Sequence, residues 1–210
     1  MKQLVVFDLG RVLVRICDNW KHACEVAGVP IPPRDMDEPT RARMMALVVE
    51  SECGRLDQHA MAHAAAPVLG IRPEHFLALS DAYLLGPFAG AGELIDDLHT
   101  AGHATACLSN TNASHWRMMT DPANPHGPVL ARLGHRFASH LVGARKPDAR
   151  IYAHVERTTG VAPDLITFFD DVAENIAAAQ SRGWTAHLVG KCENPIPAIR
   201  ARLRSEGLLT

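Results

Sequence analysis

Three short apolar runs, each ending abruptly in small polar and acidic residues, constrain this chain more than any other feature. Leu4-Val5-Val6-Phe7 runs into Asp8-Leu9-Gly10, Ala104-Thr105-Ala106-Cys107-Leu108 into Ser109-Asn110-Thr111-Asn112, and Leu165-Ile166-Thr167-Phe168-Phe169 into Asp170-Asp171. A run that stays apolar instead of alternating marks a strand covered on both faces, as in a parallel sheet between two layers of helices. Two shorter runs, His140-Leu141-Val142 and Ala186-His187-Leu188-Val189, are further strand candidates. Between the runs lie helical patterns over residues 91–101, 149–159 and 173–182, followed by Gly102, Gly160 and Gly183. Glycine just past the last turn is a common helix stop. Strands alternating with helices in this way predict an α/β fold with a mainly parallel sheet, whose ligands bind at the C-terminal ends of the strands.

Residues 19–85 interrupt the alternation. They hold no convincing strand run, many helix formers and a proline-rich turn at Pro30, Pro32 and Pro33. The segment is expected to form a helical cap inserted after the first strand, with residues 1–18 and 86–210 making the core. At 210 residues and 47% hydrophobic content, the chain can bury a core without disulfides or a structural metal. The 21 basic and 23 acidic residues form no block of one sign, so nothing points to nucleic acid. The apolar stretches fall far short of the ~20 residues of a membrane-spanning helix, and Asp8 interrupts the first run too early for a secretion signal. Cys17, Cys24, Cys53, Cys107 and Cys192 are scattered, with no zinc-site spacing. They suit a reducing cytoplasm, as small buried hydrophobes. Nothing in the sequence sets an oligomeric state.

The polar ends carry the chemistry. Asp8, Ser109, the Lys146 of Arg145-Lys146-Pro147, and Asp170-Asp171 should gather at one edge of the sheet. Converging carboxylates repel, and a hard divalent cation with oxygen ligands relieves them; Mg2+ suits one or two carboxylates together with phosphate and water. Lys146 would neutralise the remaining charge, while the Ser109 hydroxyl and nearby amides bind phosphate oxygens. A carboxylate placed like Asp8 can attack phosphorus and form an aspartyl-phosphate.

In this order and spacing, four motifs resemble the haloacid dehalogenase superfamily over essentially the whole chain. They are Phe7-Asp8-Leu9-Gly10-Arg11-Val12-Leu13-Val14, Leu108-Ser109-Asn110-Thr111-Asn112, Arg145-Lys146-Pro147 with Ala149-Arg150-Ile151-Tyr152, and Phe168-Phe169-Asp170-Asp171 with Asn175-Ile176. The details look most like the branch containing bacterial α-D-glucose-1-phosphate phosphatases. The resemblance implies a Rossmann-like core with a helical cap, Mg2+ dependence and hydrolysis of a small phosphoester, such as a hexose phosphate, through a phosphoaspartate. It implies that Asp8 is nucleophile and metal ligand, that the Gly10 carbonyl, Asp170 and Asp171 are metal ligands, that Ser109 and Asn110 hold phosphate, and that Lys146 steadies Asp8. Most phosphatases of the wider superfamily carry a second Asp two residues after the nucleophile as general acid; this chain has Gly10 there, as does the branch it resembles.

Arg55, in Glu52-Cys53-Gly54-Arg55-Leu56-Asp57, is the candidate for substrate specificity, where the cap would reach toward the site. His115 is a candidate proton donor or substrate contact. His59 and His63, four apart, lack a third metal ligand and read as a surface pair. Two other functions fit parts of the pattern. One is a 2-haloacid dehalogenase, which needs no metal and for which the Asp170-Asp171 pair is ill suited. The other is a catalytically idle relative that binds or regulates.

Overall fold

The computed structural model describes residues 2–31 and 37–210; Pro32 and Pro33 therefore lie outside the described residues. The strands are β1 (Leu4–Phe7), β2 (Val14–Ile16), β3 (Leu84–Pro87), β4 (Ala104–Ser109), β5 (His135–Ala138), β6 (Ile166–Asp170) and β7 (Thr185–Leu188). Five form one sheet in the order β5-β4-β1-β6-β7, and every pairing in it is parallel. In the central strand, Val5 and Phe7 enter a core with Leu94, Leu98 and Leu203. Leu4 and Val6 enter a second core with Ile151, Tyr152 and Trp184. Both faces of β1 are thus buried, which is why its sequence does not alternate.

Helices α1 (Trp20–Ala27), α2 (Glu38–Glu52), α3 (Gln58–Leu69) and α4 (Pro73–Ala82) come between β2 and β3. Three begin at a side-chain cap: Asn19, Asp37 and Asp57 accept from the backbone N–H groups of His22, Thr40 and Ala60, satisfying donors the first turn cannot. The chain then continues through α5 (Ala91–Thr100), α6 (Ala113–Thr120), α7 (Pro128–Arg132), α8 (Ser139–Val142), α9 (Ala149–Thr159), α10 (Ala173–Ser181) and α11 (Ile196–Ser205).

Two local expectations change. His140-Leu141-Val142 is not a strand but the helical turn α8, with Leu141 68% exposed; the strand is β5, just upstream. As an edge strand with its first two residues partly exposed, β5 carries His135 and Arg136 and shows no apolar run. Likewise β3 begins at Leu84, where no strand is expected, and pairs antiparallel with β2. This two-stranded ribbon forms the stem from which α1–α4 rise.

Candidate active site

The site starts at the end of β1. Asp8 N–H donates to the Phe169 carbonyl at 2.8 Å, holding the loop to β6. The chain then turns tightly: the Leu9 carbonyl accepts from Val12, Leu13 and Val14 at 3.2, 2.9 and 2.8 Å. Arg11 takes the left-handed conformation at φ 58°, which a residue with a Cβ adopts only at some cost. A Cβ at Gly10 would lie 3.2 Å from Ile16 Cδ1, a contact that a small shift of that methyl relieves. Glycine's small size leaves the Gly10 backbone open to the cavity it lines.

Lys146 organises the carboxylates. Its ammonium, 1% exposed, lies 2.8 Å from Asp8 Oδ1 and 2.6 Å from Asp170 Oδ2. Burial works against that charge, but the two carboxylates outweigh it and hold the lysine pKa above its usual range. Asp170 is fully buried. Its oxygens also accept from Val172 N–H at 2.8 Å and from Asn175 Nδ2 at 3.0 Å. Asn175 itself sits in the first turn of α10, so that helix fixes the Asp170 rotamer. Asp171 is the freer member of the pair, 17% exposed and 3.6 Å from Arg11 Nη1.

Oxygen atoms of Asp8, Asp170 and Asp171 lie within 4.8 Å of one another. Burial pushes the Asp8 carboxyl up to about 7, with Lys146 pulling it down and Asp170 adding to the rise. Burial, followed by repulsion from Asp170, also raises Asp171. One buried ammonium therefore undercompensates three carboxylates. A hard divalent cation fits this donor set: it supplies the missing positive charge to an all-oxygen cluster that retains exposed edges at Asp8 and Asp171.

Ser109, at the tip of β4, is 4% exposed and lines the same cavity as Asp8 and Asp171. Asn110 lines it too, but its side chain is engaged elsewhere. Oδ1 accepts from Lys146 N–H at 2.8 Å and Nδ2 donates to the Lys146 carbonyl at 3.0 Å. This reciprocal clamp positions the lysine and leaves the Asn110 backbone N–H for a ligand. Arg55 is not brought to the site. It pairs with Glu50 at 2.7 Å, is 51% exposed and does not line the cavity. Glu52 reaches the cavity instead and binds Arg145 Nε at 2.7 Å. His115 lines the cavity with Nε2 2.8 Å from the Ser80 carbonyl. Burial lowers its pKa. His59 and His63 are exposed. Sequence reasoning misses the Asn110–Lys146 clamp, the Asn175–Asp170 bonds and the Glu52–Arg145 pair; only Asn175 has a sequence signal, its place two residues into a helix that follows the acidic pair.

A family model described as haloacid dehalogenase-like hydrolase matches residues 4–183. Among curated relatives, a phosphatase of Mycobacterium tuberculosis is 37% identical over 73 residues, 35% of this chain and 34% of that protein. A CBBY-like protein of Arabidopsis thaliana is 31% identical over 114 residues, 54% of this chain and 35% of that protein. The chain thus spans about a third of the length of these relatives. The structure of a HAD-like family hydrolase from Porphyromonas gingivalis superposes with a TM-score of 0.78 at 26% identity, covering 97% of this chain and 98% of that one. No helix among the described residues is long and apolar enough to cross a membrane.

Proposed function

We propose that this chain, which belongs to the haloacid dehalogenase-like hydrolase family, is a Mg2+-dependent phosphatase that hydrolyses a small phosphomonoester through an aspartyl-phosphate on Asp8. One observation carries the reading: Lys146 bridges Asp8 and Asp170 at 2.8 and 2.6 Å beside Asp171, with Ser109 in the same cavity. An anion-binding hydroxyl next to a carboxylate cluster is repulsive for an anionic substrate unless a cation joins them. When bound, Mg2+ held by Asp8, Asp171 and the Gly10 carbonyl, with Asp170 behind, supplies that charge neutralisation.

The chain's own groups do the rest. Lys146 holds Asp8 Oδ1 and leaves Oδ2 to attack phosphorus. The Ser109 hydroxyl and the Asn110 backbone N–H hold phosphoryl oxygens as charge develops. The ester P–O bond breaks as the departing oxygen takes a proton from water in the cavity and leaves as the alcohol, and a second water then cleaves the phosphoaspartate to inorganic phosphate and the Asp8 carboxylate. Gly10 offers no side-chain acid for the departing oxygen, so its proton comes from water in the cavity. The helices α1–α4 enclose the far end of the cavity, so the substrate is small. Within small phosphoesters, the branch resembled points to a hexose phosphate; the cavity walls point elsewhere.

Phosphate release from a panel of esters, with Mg2+ or EDTA, tests the reading in the native protein and in Asp8→Asn. The expected result is turnover with Mg2+ alone and none in the variant. Halide release from a 2-haloacid in EDTA, or tight binding of the esters with no turnover of even an activated one, would replace it with one of the two rival functions.

A further inference from the structure

The cavity that begins at Asp8, Asp171 and Ser109 has a volume of about 550 Å³ and continues between α1, α2, α3 and α4. Its polarity is graded. The polar side chains stand at the helix ends nearest the sheet: Glu52 at the end of α2, Gln58 at the start of α3 and Ser80 near the end of α4. Each is already bonded within the protein, to Arg145 at 2.7 Å, Asp81 at 3.1 Å and His115 at 3.2 Å. Deeper in, the same helix faces turn apolar. Val48 and Met44 lie one and two turns from Glu52 at four-residue spacing, Met61 three residues beyond Gln58, and Phe76 four before Ser80. Residues so spaced share one helix face. Trp20 of α1, whose buried indole N–H has no hydrogen-bond partner, and Leu79 close the lining.

From this gradient we infer that the leaving group is an alcohol with an apolar tail, so that the preferred substrate is an amphiphilic phosphomonoester and not a polyhydroxylated sugar phosphate. The inference rests on the phosphatase reading of the catalytic end, since that reading fixes which end of the molecule is the phosphate. A hexose would carry its several hydroxyls past the polar mouth into walls of Met, Val and Phe, where the Trp20 N–H can meet one of them, and each further buried hydroxyl left without a partner costs about tenfold in affinity. An alkyl chain gains there instead, by about fourfold for each methylene buried.

The test compares kcat/KM for ethyl, butyl and hexyl phosphate and for glucose 6-phosphate, with Mg2+, in the native protein and in Val48→Thr. Val48 is half-buried, and threonine preserves its shape while adding a hydroxyl. The expected result is a rise of about three- to fourfold per methylene, carried mainly by KM, with glucose 6-phosphate below butyl phosphate. In Val48→Thr the advantage of hexyl over ethyl shrinks about tenfold and ethyl phosphate is unaffected. A flat alkyl series, glucose 6-phosphate equal to hexyl phosphate, or an equal change for both alkyl esters in the variant overturns the inference. If no ester in the panel, including 4-nitrophenyl phosphate, releases phosphate, the phosphatase reading fails instead. The cavity is then judged by calorimetry: hexylphosphonate binding more tightly than ethylphosphonate, with a more negative heat-capacity change, upholds an apolar tail site, and equal binding overturns it.

Discussion

Asp8→Asn should end turnover and yet stabilise the metal-free fold. The Asp8 side chain is 13% exposed, and its carboxyl is raised from 3.8 to about 7, first by burial. An acid whose folded pKa exceeds its unfolded value opposes folding once pH passes the unfolded value, and the full cost is reached above the folded one. For Asp8 that cost grows between pH 3.8 and about 7. At about 1.4 kcal/mol for each pKa unit, a group titrating alone would cost about 4 kcal/mol at neutral pH and above. That cost already contains the attraction of Lys146; discounted for the shared titration with Asp170, a gain of about 2 kcal/mol is expected for asparagine. In a domain of this size, 1 kcal/mol moves Tm by about 2–4 °C, which puts the variant about 4–8 °C higher. Scanning calorimetry in EDTA at about pH 8 reads the difference, and the gap should close toward about pH 5. Mg2+ should then raise the Tm of the native chain more than that of the variant, which has lost a ligand. A native chain that melts higher than Asp8→Asn in EDTA at about pH 8 would refute the reasoning.

Six further substitutions, in four comparisons, probe other contacts. Arg145→Gln should destabilise by about 1–3 kcal/mol and Glu52→Gln by less, because burial already raises the Glu52 pKa and only the first change strands a half-buried carboxylate; urea denaturation gives the order. Gly54→Ala should cost more than Gly143→Ala, since both have positive φ but a Cβ at Gly54 would overlap the His140 carbonyl whereas Gly143 is open; equal midpoints would contradict this. Asn110→Ala removes both bonds to the Lys146 backbone and should lower kcat about 10- to 100-fold with little change in KM, since it displaces the ammonium and not the substrate. Arg55→Ala should leave kcat/KM unchanged across the ester panel, as its exposed pair with Glu50 contributes little.

The central strands were legible in the sequence because burial on both faces suppresses alternation: β1, β4 and β6 fall within a residue of the apolar runs. The same rule fails at the edges. β5 carries His135 and Arg136 toward solvent, and β3 contains Gly86 and Pro87, which weigh against strand in any local reading. The polar groups of the candidate site, Asp8, Ser109, Lys146 and the Asp170-Asp171 pair, were visible because each ends an apolar run or begins a turn. The contacts that aim it were not. Asn110 meets Lys146 across 36 residues and Glu52 meets Arg145 across 93, and no local periodicity encodes such pairs. Arg55 shows the converse: its charge and its turn suggested a substrate contact, while in the structure it pairs with Glu50 at the surface, outside the cavity.

The account turns on Asp8 becoming covalently phosphorylated. Acid-quenched protein, mixed with Mg2+ and an ester that turns over, can be digested and mapped by mass spectrometry. The account predicts a single phosphoryl group on the peptide containing Asp8, absent in EDTA and absent in Asp8→Asn. Turnover by the native protein with the phosphoryl group on any other residue, or persisting in Asp8→Asn, would contradict it.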